Sequence, residues 1–167
     1  MKDSHVAIPG LERAVSLLLH QQAEALDDRR WSDFINCFMP DGRYWMPGDP
    51  SQLTWDGTAS IFSEDRDLME VRHRRLEHPN AWSMAAAWGT SHVVSGIRIT
   101  DWDLQTAQLQ SVSRFMAIER RRDDLRTFAG RYTHDLQMTS EGLKIRLQRV
   151  DLLGPDRPFE YVLQAWL

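Results

Sequence analysis

The sequence predicts an α+β domain, in which helices near the start pack on an antiparallel sheet formed by the rest of the chain. Two observations predict this class. Apolar residues recur at helical spacing as far as residue 79, and from residue 92 onward the pattern becomes extended, with short polar breaks. Helices collected ahead of a meander of strands favour α+β, so we expect them to cover the concave face of a strongly bent sheet, forming a cone.

The N-terminal region is predicted to form two consecutive helices. The first follows Pro9-Gly10 and places on one face Leu11, Val15, Leu18, Leu19 and Leu26. The second carries an i, i+3, i+4, i+7 ladder formed by Trp31, Phe34, Ile35 and Phe38, and it continues to Met39 because Pro40 disfavours further helix. Two aspartates, Asp27 and Asp28, stand at the bend between the helices.

The middle of the chain is predicted to contain a short strand, a loop and a third helix. Asp41-Gly42 is a turn signal, and the aromatic stretch 43–46 predicts a strand that ends at Pro47-Gly48. Residues 48–60 contain glycine, proline and serine, which predict a loop. Ser63 is a candidate N-cap for a helix that ends near Pro79 and carries on one face Leu68, Met69, Arg72 and Leu76.

Four long strands are predicted after the helices, over residues 92–102, 107–121, 125–138 and 143–153. In the last of them apolar and polar residues alternate, so one face packs on the core. Arg120-Arg121-Arg122 is followed by Asp123-Asp124, which predicts a hairpin tip whose charges cancel. Because no repeat or linker separates these segments, residues 1–167 are predicted to form one domain.

Composition excludes several classes of function. The net charge is −4 and the basic residues are interleaved with acidic ones, so the chain lacks the basic stripe that nucleic-acid binding needs. We find no apolar run long enough to span a membrane and no signal segment, and a cytoplasmic location is therefore expected. Cys37 is the single cysteine, which excludes an internal disulfide.

Three segments, in this order, resemble the small (beta) subunit of aromatic-ring-hydroxylating dioxygenases, which has the cone fold shared with nuclear transport factor 2 (the NTF2-like, or cystatin-like, fold) and scytalone dehydratase. They are "EALDDRRWSDFINCFMPDGRYWMPG" (24–48), "SEDRDLMEVRHRRLEHPNAWS" (63–83), in which Trp82 closes the helix, and "FAGRYTHDLQMTSEGLKIRLQRVDLL" (128–153). The chain departs from the family pattern in "MAAAWGTSH" (84–92), which has His92 but lacks the proline and arginine expected before it.

The resemblance implies a non-catalytic subunit that assembles with itself, as a trimer within an α3β3 complex, and supports a catalytic alpha subunit acting on an aromatic compound. That partner would hold a Rieske [2Fe–2S] cluster and a mononuclear iron. A Rieske cluster takes two cysteines and two histidines, and one cysteine cannot supply it. The six histidines show no close helical pair for iron. We therefore expect no cofactor or metal in this chain and, in this reading, no catalytic residue.

An alternative remains open from the residues themselves. Cone-fold enzymes similar to scytalone dehydratase use Asp, His and Tyr side chains inside the cone. This chain has Asp28 near the end of the first helix, His92 at the start of the first long strand and Tyr44 on the aromatic strand. A cofactor-free dehydratase or isomerase, or a protein that binds an apolar ligand in its cone, would use an open cone. In the simpler interpretation Asp28 caps the helix that begins near Trp31, and His92 is a hydrogen-bonded histidine at a strand edge.

Two further expectations concern long side chains. Arg72 is expected to pair internally with a carboxylate, while its neighbours His73, Arg74 and Arg75 form a solvated helix face. Tryptophan is enriched where protein surfaces meet. The tryptophans that we consider candidates for subunit contact are Trp88, Trp102 and Trp166.

Overall fold

The structure, a computed structural model, describes residues 10–81, 88–155 and 162–167 and confirms the α+β class. Trp82 and residues 84–87 lie outside these ranges. Within the described residues the helices are α1 (Leu11–Asp27), α2 (Trp31–Asn36) and α3 (Arg66–Leu76). The strands are β1 (Phe38–Pro47), β2 (Ser60–Asp65), β3 (Trp88–Asp103), β4 (Gln108–Arg121), β5 (Asp124–Thr139) and β6 (Gly142–Leu152).

The six strands form one mixed sheet in the order β2-β1-β6-β5-β4-β3. Strands β3 to β6 are the predicted antiparallel meander, and β1 lies parallel to β6. The predicted hairpin tip joins β4 to β5, and Arg122 turns the chain there with a φ of 58°. The helices cover the inner face of the sheet, and α1 lies against β3.

Helix α1 and the aromatic ladder are buried as the periodicity predicts. All five apolar residues of the predicted α1 face are in the core, together with Trp31, Phe34 and Ile35 of α2. Helix α2 nevertheless ends at Asn36 and not at Met39. Phe38 begins β1, because the chain there pairs with β6: the Ile145 amide donates to the Cys37 carbonyl at 2.8 Å.

The turn signal at Asp41-Gly42 marks an irregularity inside β1 and not a turn that precedes a strand. The register of β1 against β6 shifts between Phe38 and Arg43. A Cβ at Gly42 would lie 2.7 Å from the Ile145 carbonyl oxygen, so only glycine fits where the two backbones approach. Pro40 is accommodated in this irregular stretch, where its missing N–H costs little.

The start of α3 also differs from the prediction. Ser63 lies in β2, opposite Trp45 of β1, and the N-cap is Asp65, whose side chain accepts a hydrogen bond from the Leu68 amide at 3.0 Å. Leu68 was predicted to face the core and is 48% exposed. The rest of the predicted face of α3 is confirmed, since Met69 and Leu76 are buried and Arg72 is partly buried beside them.

Candidate functional site

The C-terminal end of α1 is joined to β3 by a contact between a carboxylate and an imidazole. Oδ1 of Asp27 lies 2.6 Å from Nδ1 of His92, and Oδ2 accepts the His92 backbone N–H at 2.8 Å. The Thr90 hydroxyl donates to Oδ1 at 3.0 Å. Asp27 therefore orients the His92 ring and accepts the proton that the ring carries on Nδ1.

Asp28, the carboxylate of the alternative catalytic set, lies at the surface and not beside His92. Its side chain is 66% exposed and lies 3.4 Å from Nε of Arg30. It does not cap the next helix either, because the N-cap of α2 is Arg30, whose side chain makes no capping hydrogen bond. Arg29 turns the chain with a φ of 58°, and the sequence offers no glycine to signal that left-handed turn.

The environment of Asp27 favours its ionised form. Burial alone would raise the pKa of this carboxyl group. The hydrogen bonds from the His92 side chain and backbone, the charge of His92 and the Thr90 hydroxyl together outweigh burial, so the pKa of Asp27 lies below its ordinary value of 3.8. A carboxylate held in this way positions the imidazole and joins two elements of the fold.

Tyr44 is held by a different part of the chain. Its hydroxyl donates to the Leu167 carbonyl oxygen at 3.2 Å and accepts the Leu167 N–H at 3.1 Å. Burial raises the pKa of this fully buried phenol far above its ordinary value, so it stays neutral. The structure therefore gives Tyr44 and His92 separate partners and leaves Asp28 at the surface.

The space beside Tyr44 is filled by residues 162–167. The Trp166 ring stacks on Phe34 with centroids 4.8 Å apart, and its indole N–H donates to Glu64 at 3.0 Å. Trp166 is 1% exposed. This part of the cone is a packed apolar core and not the open, water-accessible pocket that a dehydratase would need.

Arg72 makes the internal ion pair that its position predicted. Its Nε donates to Glu64 at 2.8 Å, and Nη1 donates to the Gln164 carbonyl oxygen at 3.1 Å. Glu64 thus connects α3 to Trp166 as well. Such a buried and fully hydrogen-bonded pair serves to hold the segment 162–167 in one position.

The predicted contact tryptophans are mostly internal. Trp88 is 5% exposed and Trp166 is 1% exposed, so neither can offer area to another subunit, and these two predictions are wrong. The Trp88 indole N–H donates to Glu119 at 2.8 Å. Trp102 is half-buried at the end of β3, and its role in subunit contact stays a prediction.

The outer face of the sheet carries exposed apolar side chains that the sequence analysis did not single out. Val93 is 58%, Met116 46% and Ile118 42% exposed, and Val93 lies directly opposite Met116 on the neighbouring strand. We call these three residues the outer apolar strip. The strict alternation of β4 signals it, because Phe115 and Ala117, which alternate with Met116 and Ile118 along the strand, are buried.

Charges of opposite sign lie at the two ends of this face. Arg114 and Arg120 flank the outer apolar strip on β4 and are exposed. Toward the other end of the strands, a groove of about 440 Å³ is lined by Trp55 and by more carboxylates than cations, namely Asp41, Asp101, Asp103 and Asp135 against Arg43 and Arg146. We call it the acidic groove.

The side chains that the structure describes include no group of three or more histidine, cysteine, aspartate or glutamate residues arranged to hold a metal ion. Burial raises the pKa of Cys37 to about 11, so its thiol stays protonated at neutral pH and is a poor metal ligand. Among the described helices, none is both long and apolar enough to cross a membrane.

Comparisons with known proteins point to one family. Residues 21–154 match the sequence profile described as "Ring hydroxylating beta subunit". The beta subunit of benzoate 1,2-dioxygenase from Acinetobacter baylyi is 30% identical over 53% of this chain and 56% of its own length. The small subunit of anthranilate 1,2-dioxygenase from the same organism is 27% identical over 86% of this chain and 90% of its own length.

Solved structures share the fold. The beta subunit of benzoate 1,2-dioxygenase from Burkholderia mallei superposes with a TM-score of 0.71 at 19% identity, over 89% of this chain and 95% of that chain. A chain of naphthalene 1,2-dioxygenase with bound indole gives a TM-score of 0.78 at 14% identity, over 91% of this chain and 83% of that chain. These likenesses confirm the predicted NTF2-like cone.

Proposed function

The chain belongs to the ring hydroxylating beta subunit family, and we propose its function on that basis. It acts as the small subunit of an aromatic-ring-hydroxylating dioxygenase, in the cytoplasm and as a single domain over residues 1–167. Its partner is a catalytic alpha subunit that holds the Rieske cluster and the mononuclear iron. The role of this chain is structural, because it supplies a rigid core and an assembly surface.

The observation that carries this proposal is the family match over residues 21–154. The filled cone supports it, because Tyr44 and Trp166 are used for internal hydrogen bonds and packing. The stand-alone dehydratase with Asp28, His92 and Tyr44 is not favoured. Its three side chains have separate surroundings, and two of them are tied to other parts of the chain.

Copurification tests the partnership. The full chain, carrying an affinity tag, is expressed together with the neighbouring gene whose product has paired Cys-x-His and Cys-x-x-His motifs. We expect the large subunit to elute with the tag, together with iron and the visible absorption of a Rieske cluster. Elution of the tagged chain without an iron–sulfur subunit would contradict the proposal. A tagged unrelated protein serves as the control for carry-over.

The proposed trimer within an α3β3 complex uses the outer face of the sheet. An exposed apolar strip on a stable domain is typical of a contact surface. Arg120 at one end of this face, and Asp101 and Asp103 at the other, are complementary between two copies placed head to tail. A head-to-tail contact of this kind closes into a ring when the rotation between copies allows it.

Charge placed in the outer apolar strip tests this arrangement. Met116→Glu should shift the sedimentation of the assembled chain toward the monomer, because Met116 is 46% exposed at the centre of the strip. Leu17→Glu is the matched control, since Leu17 is 51% exposed but lies on α1. Retention of the assembly by Met116→Glu, at equal protein concentration, would refute the outer face as the contact.

A further inference from the structure

A set of buried polar atoms on the inner face of the sheet has no partner within the chain as described. They are Oγ of Ser111, Oγ of Ser113, both ring nitrogens of His134 and Nε2 of His92. Ser111 and His134 are 0% exposed and Ser113 is 2% exposed. Native proteins pair about 90% or more of such groups with the chain or with ordered water, so each of these atoms requires an explanation.

Three of the four side chains lie together. Ser111 of β4 is directly opposite His134 of β5, and Ser113 is opposite Tyr132 at the next inward-facing position. Directly opposite residues on one face have their Cβ atoms about 4.5–5.5 Å apart, so the polar ends of Ser111 and His134 lie within reach of one bridging atom. The Tyr132 ring meets the His134 ring at 5.6 Å, edge to face, and closes one side of this space.

The polar side chains on this face form a row across the sheet, and the next one in the row has a hydrogen-bond partner within the protein. Gln148 of β6 is directly opposite His134 on the other side. Its side-chain oxygen accepts a hydrogen bond from Gln22 of α1 at 2.5 Å. The polar row therefore runs from β4 through β5 and β6 to α1, and its β6 end is paired with a side chain of the protein itself.

The side chains without a partner, at the β4 and β5 end of the row, can donate hydrogen bonds to water and accept them from it. Burial lowers the pKa of His134 to about 3, so the ring is neutral and presents one N–H donor and one bare nitrogen acceptor. Each serine hydroxyl both donates and accepts. A water molecule needs two to four such partners in a closed polar space, and these side chains supply them.

We propose that the inner face of the sheet binds an internal water that bridges Oγ of Ser111 and a ring nitrogen of His134. The ligand is water and not a substrate, because the surrounding cone is packed. The bound water joins β4 to β5 beneath α1 and continues the polar row that Gln148 and Gln22 complete. The site is independent of the subunit role proposed above.

The proposed water site is tested by whether a substitution at Ser111 stabilises or destabilises the folded chain. If water bridges the pair, Ser111→Ala removes one of its hydrogen bonds and should raise the equilibrium constant for unfolding of the full chain by about 3- to 10-fold. Ser91→Ala is the matched control, because Ser91 is an exposed serine on β3 and should change the constant by less than about 2-fold. A lower unfolding constant for Ser111→Ala would overturn the proposal, since it would mean that the hydroxyl is unpaired in a dry core.

A crystal structure of the full chain, at a resolution that shows ordered water, gives the second readout. We expect density within hydrogen-bond distance of both Ser111 Oγ and a His134 nitrogen. A direct Ser111–His134 hydrogen bond, or side chains in contact without density between them, would overturn the proposal. Neither result depends on whether the chain binds an alpha subunit.

Discussion

The Asp27 carboxylate lies 2.6 Å from Nδ1 of His92 and also accepts the His92 backbone N–H, so a single side chain fixes both the ring and the main chain of β3. Asp27 is the last residue of α1. The contact therefore sets where the longest helix ends on the sheet, and it does so with a charged acceptor that serves three donors. This makes Asp27 a positioning residue of the fold.

Asp27→Asn should lower the free energy of unfolding by about 1–2 kcal/mol, because one amide oxygen replaces two carboxylate oxygens that serve three donors. Asp28→Asn is the control, since Asp28 is 66% exposed and should change stability by less than about 0.5 kcal/mol. Urea denaturation at pH 7 measures both. Equal effects of the two substitutions would contradict the assignment of the contact to Asp27.

The pKa of Asp27 also predicts a dependence on pH. Its folded pKa is below the ordinary value of 3.8, so its contribution is fully present above that value and is lost as the pH falls through the lowered folded pKa. The difference in stability between the wild-type chain and Asp27→Asn should therefore shrink below about pH 4. A difference that stays constant down to pH 2 would refute this prediction.

His134 predicts a second, separate loss of stability in acid. Burial lowers its folded pKa to about 3, so between its ordinary value of 6.5 and about 3 the unfolded chain takes up a proton that the folded chain excludes. Stability should fall on acidification through this window, by up to about 1.4 kcal/mol per pH unit. His134→Phe should flatten the stability profile in that range, measured by denaturant unfolding at fixed pH values.

The control for this experiment is His20, an exposed histidine on α1. His20→Phe should leave the slope between pH 6.5 and pH 4 as it is in the wild-type chain. If His134→Phe and the wild-type chain lose stability in parallel, His134 is not the group responsible.

Trp166→Ala should destabilise the chain by about 3–5 kcal/mol, because a buried indole that stacks on Phe34 is replaced by a cavity. The change also removes the indole N–H from the buried Glu64 carboxylate. Val162→Ala is the control within the same segment, since Val162 is 73% exposed. Thermal and urea unfolding measure both variants, and a near-neutral Trp166→Ala would mean that the segment 162–167 does not fill the core.

Gly130→Ala should destabilise the chain at the upper end of the range for overpacking, about 3 kcal/mol. A Cβ at Gly130 would lie 2.1 Å from the Asp151 carbonyl oxygen of β6, which the paired strands cannot relieve without moving apart. Gly89→Ala is the matched control in β3, because nothing lies within 4 Å of its added Cβ. Comparable unfolding midpoints for the two variants would contradict the close approach of β5 and β6 at this point.

Much of the fold could be predicted because burial repeats with the period of each element. The α1 face, the aromatic ladder and the long strands were predicted in this way. The end of α2 was not, because it depends on pairing of the following residues with β6, more than 100 positions away. The strand β2 was not, because it depends on pairing with β1 across the intervening loop. Local patterns do not contain that information.

The site was predicted less well than the fold. His92 was identified correctly as a hydrogen-bonded residue, but the choice between Asp27 and Asp28 depends on the left-handed turn at Arg29, for which no sequence signal exists. The internal partners of Tyr44 and Trp166 come from residues more than 100 positions away along the chain. The alternation of β4 predicts that Met116 and Ile118 share one face of the strand. It does not predict that Val93 of the neighbouring strand lies opposite Met116 and extends the outer apolar strip.

The parallel pairing of β1 with β6 has a consequence for the order of folding. Phe38 pairs with Ile145, so the edge of β1 that faces β6 stays unpaired until β6, more than 100 residues later in the chain, has been synthesised. Contacts between such distant residues form slowly, because the entropy of closing a long loop must be overcome before the contact stabilises anything. During this interval β1 can pair with β2, but its other edge, which faces β6 in the finished sheet, stays exposed and can pair with the wrong strand. Expression at low temperature should therefore increase the yield of folded chain more than it does for a helical protein of equal length.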